Sequence, residues 1–400
     1  MDHKNIQREA KLVLETRHQV SGLNSKLDSE QLSFTEYINH QRNLIARVRE
    51  NIPPALQHKI IEGNAPFQLT PINTCSSETG KPFKRGVLLT HGLTDSPYFM
   101  RHLAAFFQEN GFRVMAILLP GHGTQPGDLL EVRWQEWTKA VAYGTNCLAK
   151  EVDEIYLAGF SAGGTLSIYQ SLNDQRVRGL FLFAPALKIS SKAAWAKLHH
   201  AYSWLIPAAK WVSILPDRDL YKYESFAKNA AAQMYALTKE ISKILRVRKL
   251  DIPIFTALSA DDATIEPSAT LDFLSHSSHP ANKIMLYSTD TDLPVHSMPE
   301  NVFEIVNSVL PKQKILSSAH TAIVLPPEDQ HYGEQGEYAN CVHYYPAEMD
   351  KYNACIDTPC EVFQGEITEQ NLAVGTLRRL MYNPHYSQLT ATMRKFIEQL

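Results

Sequence analysis

From Gly86 onward, short apolar runs alternate with amphipathic stretches, and this rhythm predicts the fold class. Gly86–Thr90, Arg113–Leu119, Glu154–Ala158, Gly179–Phe183 and Ile252–Leu258 are apolar enough to be strands buried on both faces. Tyr98–Asn110, Trp134–Lys150 and Gly163–Leu172 lie between the first four and have helical texture. Strands alternating with helices predict an α/β fold, a mostly parallel sheet with helices on both faces. Between Pro185 and Pro253 the rhythm lapses. Ser191–Leu245 is rich in Ala, Trp and Tyr and reads as an inserted helical cap. Ahead of the sheet, Ser33 and Glu36 form a capping box, and Phe34, Tyr37, Ile38, Leu44, Ile45, Val48 and Ile52 recur at helical spacing until Pro53-Pro54. Beyond Leu310 the chain is loop-rich and closes on a predicted helix, Tyr386–Leu400. The expected divisions are an N-terminal helical segment (1–64), two halves of the core (65–189 and 249–325), the cap between them (190–248) and a C-terminal extension (326–400).

Composition removes several function classes. The 400 residues are 44% hydrophobic and 20% charged, with 39 Lys and Arg against 42 Asp and Glu, a net charge of −3. Such a balance offers no basic field to nucleic acid and no polybasic patch to a membrane. No apolar run approaches the ~18–20 residues of a transmembrane helix. Met1–Glu9 is charged and lacks an apolar core, so no signal peptide is predicted and the cytoplasm is the expected location. Five cysteines are too few, and odd in number, for a disulfide framework to be the main source of stability. Cys341, His343, Cys355 and Cys360 match no zinc-knuckle spacing, and no metal is expected; in an exported protein, pairing among the three cysteines is the better reading.

The strongest chemical signal is Gly159-Phe160-Ser161-Ala162-Gly163, directly after one predicted strand and directly before a helix. In that context G-x-S-x-G is a nucleophile elbow: small neighbours permit a strained turn that exposes the serine hydroxyl. The Ala162 N–H then points toward an incoming carbonyl. Upstream, Thr90-His91-Gly92-Leu93-Thr94-Asp95-Ser96 follows the first clear strand, and its glycine lets the loop fold beside the elbow, making the Leu93 N–H a second oxyanion donor. His91 reads as a structural hydrogen-bonding residue, and His122, in Leu119-Pro120-Gly121-His122-Gly123, as part of a tight turn.

These three motifs, taken in order, resemble the α/β-hydrolase family, and within it bacterial carboxylesterases and monoacylglycerol lipases. The likeness spans roughly residues 84–325. It implies the α/β-hydrolase fold and acyl-enzyme chemistry with a triad in the chain order Ser, acid, His, without metal or organic cofactor. The family places an apolar residue three positions after the acid, often before a proline. Asp262, with Ile265 and Pro267 following, fits better than Asp261, which reads as a helix cap. Seven histidines lie downstream. His296 follows the run Lys283–Tyr287 and has the conventional spacing; His320, in Ser318-Ala319-His320 after Lys314–Leu316, matches the way the family presents its base at a strand end. His320 is preferred and His296 stays open. On that reading Val302–Val309 is an additional strand, and His331-Tyr332-Gly333 resembles a segment that closes the triad in a bacterial branch.

In the cap, Trp204 and Trp211 are candidate substrate-binding residues, forming an apolar wall over Ser161. The expected substrate is a small-molecule ester with a medium or long acyl chain, such as a monoacylglycerol or lysolipid. A peptidase of the proline-iminopeptidase type is the alternative, with Asp217, Asp219 or Glu224 to hold an amine, and a non-enzymatic receptor is another. Oligomeric state is not legible in the sequence.

Overall fold

The computed structural model describes residues 14–23, 32–50, 52–73, 77–188, 207–277, 279–292, 302–358 and 361–400. Its centre is an eight-stranded sheet. The strands before the cap are β1 (Phe67–Leu69), β2 (Phe83–Thr90), β3 (Phe112–Ile117), β4 (Val152–Phe160) and β5 (Val177–Phe183). The cap holds a separate two-stranded pair, β6 (Trp211–Ser213) and β7 (Phe226–Ala227). The central sheet resumes with β8 (Ile254–Ser259), β9 (Lys283–Ser288) and β10 (Phe303–Asn307). Its spatial order is β1-β3-β2-β4-β5-β8-β9-β10, and every pairing is parallel except β1 with β3. All six residues of β3 and all six of β8 are buried. Side chains alternate between the faces of a strand, so both faces must be covered. The helices Arg101–Glu109, Trp134–Ala149 and Ala162–Asn173, each packed on strands of the sheet, do part of this.

The predicted N-terminal helix is present as Phe34–Val48, with Ser33 and Glu36 capping each other reciprocally. Phe34, Tyr37 and Ile38 join the main core, and Tyr37 both donates to the Leu118 carbonyl at 2.9 Å and accepts from its N–H at 3.1 Å. Pro54 does more than stop this helix: it opens a second one, Pro54–Asn64, where a proline suits the first turn.

Two expectations about segments need correction. Residues 207–227 of the cap are not a helix. They form a 3-10 turn (Pro207–Lys210) and the minimal antiparallel hairpin of β6 with β7, and the helix Lys228–Leu245 follows. Asp217 organises the intervening loop by accepting from the N–H groups of Glu224 and Ser225 and the Ser225 hydroxyl, so side-chain bonds replace a helical ladder. Lys314–Leu316, in turn, is not a strand of the sheet. Ile315 makes single bridges to Leu310 and Gln364, and His320 opens a 3-10 turn, His320–Ala322.

The chain beyond residue 326 is built into the body. Its last helix, Tyr386–Ile397, sends Leu389, Met393 and Phe396 into the main core, with the Phe396 ring 5.3 Å from Phe181 and 5.7 Å from Phe255. A small parallel pair, β11 (Phe363–Gly365) with β12 (Leu377–Arg379), and the disulfide Cys341–Cys355 shape the rest.

Candidate active site

Ser161 sits at the end of β4 with φ 52° and ψ −114°, in the left-handed region that disfavours a side chain. Crowding explains the glycines around it. A Cβ on Gly159 would lie 2.2 Å from the Gly163 backbone, and one on Gly163 would lie 2.0 Å from the Thr90 carbonyl oxygen. The loop after β2 also packs against the elbow: a Cβ on Gly92 would stand 3.3 Å from that of Ser161. Leu93 consequently lines the same cavity as Ser161 and Ala162, and Ala162 is the first residue of the helix Ala162–Asn173.

The structure brings Ser161, His320 and Asp262 together across the tips of the sheet. His320 Nε2 is 2.9 Å from Ser161 Oγ, and His320 Nδ1 is 2.6 Å from Asp262 Oδ2. With Nδ1–H donating to the carboxylate, Nε2 is left to accept the serine proton. Burial pushes the Asp262 carboxyl up. The His320 ring and the N–H groups of Ile265 and Thr264 outweigh it and hold the group below the usual carboxylate range. Asp261 is engaged elsewhere, accepting from the Thr289 N–H and hydroxyl; it does not cap the helix Pro267–Ser275, whose N-cap is Glu266. His296 lies outside the described residues.

The other conspicuous histidines serve as scaffolding. His91 Nε2 accepts from the Leu119 N–H at 3.1 Å, and burial holds its ring well below the usual imidazole range. His122 Nε2 accepts from the Thr94 N–H, fixing the loop beside the elbow; burial depresses its pKa to about 4. His331 and Tyr332 do not close the triad. Both bond to the carboxylate of Asp219, joining the C-terminal region to the cap.

The cavity over Ser161 encloses about 630 Å³. From the cap come Leu215, Phe226 and Met234, and from the C-terminal region Val342, Tyr345 and Arg379. That second wall was invisible in the sequence: these residues belong to no motif and reach the site only through the fold. The Cys341–Cys355 disulfide brackets two of them, Val342 and Tyr345. Trp204 lies outside the described residues. Trp211 is corrected: it is buried against His18, ring centroids 5.2 Å apart, and is not part of the cavity wall, because the β6–β7 hairpin turns it toward the N-terminal segment.

At the end of β2 and in the loop after it, the Thr90 and Ser96 hydroxyls are buried without a hydrogen-bond partner among the described residues, whereas the charged group of the loop, Asp95, is paired. Lys222 bonds to Asp95 and, at 3.1 Å, to the Thr94 hydroxyl. Of the acids considered for holding an amine, Asp217 and Asp219 are consumed by internal bonds, and Glu224 lines the cavity. Burial pushes the Glu224 carboxyl up, and the Tyr338 hydroxyl, donating to it at 2.5 Å, opposes this.

Residues 81–289, just over half of the chain, match the family model described as serine aminopeptidase, S33 (Hydrolase_4). The chain belongs to this α/β-hydrolase family. Among curated proteins it is 31% identical over 138 residues to a thermostable monoacylglycerol lipase of Bacillus sp. (strain H-257), covering 34% of this chain and 51% of the relative. It is 33% identical over 96 residues to a carboxylesterase of Bacillus subtilis (strain 168), covering 22% of this chain and 39% of the relative. The aligned part thus spans about half or less of these relatives' lengths. A solved monoacylglycerol lipase of Paleococcus ferrophilus is 18% identical, covering 56% of this chain and 88% of that one with a TM-score of 0.42.

Among the described residues no group of three or more His, Cys, Asp or Glu is arranged to hold a metal, and no helix is long and apolar enough to cross a membrane. The Cys341–Cys355 bond runs against the cytoplasmic expectation, because disulfides persist chiefly in oxidising compartments.

Proposed function

We propose that this protein is a serine hydrolase that cleaves carboxylic esters with an apolar acyl chain. The observation that carries the proposal is the unbroken chain of hydrogen bonds Ser161–His320–Asp262 opening onto a largely apolar cavity. Ser161 Oγ attacks the ester carbonyl while His320 Nε2 takes its proton, and Asp262 holds the imidazole in the accepting tautomer and stabilises the imidazolium. The Leu93 and Ala162 N–H groups receive the tetrahedral oxyanion. His320 then protonates the leaving alcohol, and in the second half-reaction it activates the water that releases the acid.

Glu224 favours one competing reading, an aminopeptidase that clamps a substrate amine. The Tyr338 hydroxyl already donates to its carboxylate, which argues against a free clamp for a substrate amine. Turnover of p-nitrophenyl esters beside aminoacyl-anilides separates the two. Faster anilide cleavage would reverse the preference.

Two further outcomes are expected. Activity should fall on acidification along a single one-proton limb, since a protonated His320 cannot accept from Ser161, while Asp262, held low, stays ionised across that range. Two overlapping limbs in the profile of kcat/KM against pH would contradict this. Separately, kcat/KM should climb from acetyl towards octanoyl esters by up to about fourfold per methylene, the value of ~0.8 kcal/mol per buried CH₂. Phe226→Ala should flatten the climb, and Trp211→Ala should not, because Trp211 packs on His18. A flat wild-type profile would exclude an acyl-binding cavity.

A further inference from the structure

The family match ends at residue 289, yet an ion pair from the far end of the chain bonds to the backbone of His320 and, through Thr264, reaches Asp262. β11 pairs with β12 so that Gly365 lies opposite Arg379, which places the next residue, Glu366, beside the guanidinium. Glu366 is fully buried. Its Oε2 accepts from the backbone N–H of His320 at 2.9 Å, and its Oε1 accepts from the Ile367 N–H at 2.8 Å. Arg379 Nη2 lies 2.9 Å from Oε1 and 3.1 Å from Oε2. The same nitrogen bonds to the hydroxyl of Thr264, whose N–H donates to Asp262 Oδ1 at 2.7 Å. A continuous path therefore runs from the backbone of His320 through Glu366, Arg379 and Thr264 to the carboxylate of Asp262.

We propose that Glu366 and Arg379 are positioning residues that set the separation and the electrostatic balance of His320 and Asp262. The proposal rests on the role given above to these two groups. Position alone could be held by neutral partners. A charged pair has a second consequence, because each member cancels the other's field at the imidazole. Among the described residues, Asp262, on the loop after β8, and Asp95, itself paired with Lys222, act on the ring, and Lys222, Glu224 and His343 line the same cavity as His320. Removing one member of the Glu366–Arg379 pair leaves the other unbalanced beside His320; Glu366 is fully buried and Arg379, 21% exposed, lines the cavity, so the remaining charge is only partly screened. Without Glu366 the Arg379 cation opposes imidazolium formation; without Arg379 the Glu366 anion favours it.

The test compares full-length wild type, Glu366→Gln, Arg379→Met, the double variant and Thr264→Val, using kcat and kcat/KM against pH on a p-nitrophenyl ester together with the unfolding midpoint. Glu366→Gln should lower kcat about 10- to 100-fold with little change in KM, since small misplacements of reacting groups are expensive in rate. Its acidic limb should move to lower pH by about half a unit or more, that of Arg379→Met should move upward by a similar amount, and the double variant should lie between them. Thr264 is exposed, so Thr264→Val should fold normally and still lose kcat several-fold. Limbs that stay fixed or move the same way, with Thr264→Val fully active, would overturn the proposal and leave the pair a structural brace. If Ser161→Ala retains wild-type activity, the triad reading itself has failed, a result distinct from either of these.

Discussion

Ser161→Ala is expected to lower kcat/KM for p-nitrophenyl esters by roughly 10³ or more while leaving the fold intact. The hydroxyl is the one group removed, and it is bonded to His320 Nε2. The bonds that hold the elbow are backbone bonds: the Ser161 N–H donates to the Phe183 carbonyl at 2.8 Å, and the Ala186 N–H donates to the Ser161 carbonyl at 3.1 Å. Alanine keeps both. It carries the same Cβ into the same positive-φ position, so the backbone strain is unchanged. The unfolding midpoint should therefore stay within a few degrees of wild type, and a fluorophosphonate probe should no longer label the protein. Residual activity near a tenth of wild type would place the nucleophile elsewhere.

His320→Ala should be as damaging, about 10³-fold or more, and combining it with Ser161→Ala should add almost nothing. A serine hydroxyl is a weak nucleophile without a base, so removing either member disables the same step. The second loss is then hidden by the first. This variant should also lose stability, unlike the serine one. The imidazole is buried against Phe160, ring centroids 5.2 Å apart, and Asp262 would keep only its bonds from Thr264 and Ile265. Measured kcat/KM for the two single variants and the double variant, with unfolding midpoints, tests both points. Additive losses would mean that Ser161 and His320 do not act as a unit. His296→Ala should cost little; a loss comparable to that of Ser161→Ala would return the base to the segment after Lys283–Tyr287.

The sequence by itself determined whatever depends on neighbours along the chain. Apolar runs that must be buried on both faces announced five central strands, and the Ser33–Glu36 box announced the first long helix. The elbow was legible because its strained turn and the small residues that permit it lie within five residues, Gly159 to Gly163. Asp262 was nearly as accessible, being tied to the end of β8. The histidine was harder, since its partners lie 58 and 159 residues away and nothing local distinguishes it from its neighbours. Only the tertiary structure decided that His320 rides a 3-10 turn and that Trp211 faces the N-terminal segment. It alone built about a quarter of the cavity wall from residues beyond 326 and set Glu366 and Arg379 between His320 and Asp262. Local patterns record steric demands and solvent exposure. Which exposed or polar groups meet across the sheet depends on how distant segments pack, and no window of sequence contains that information.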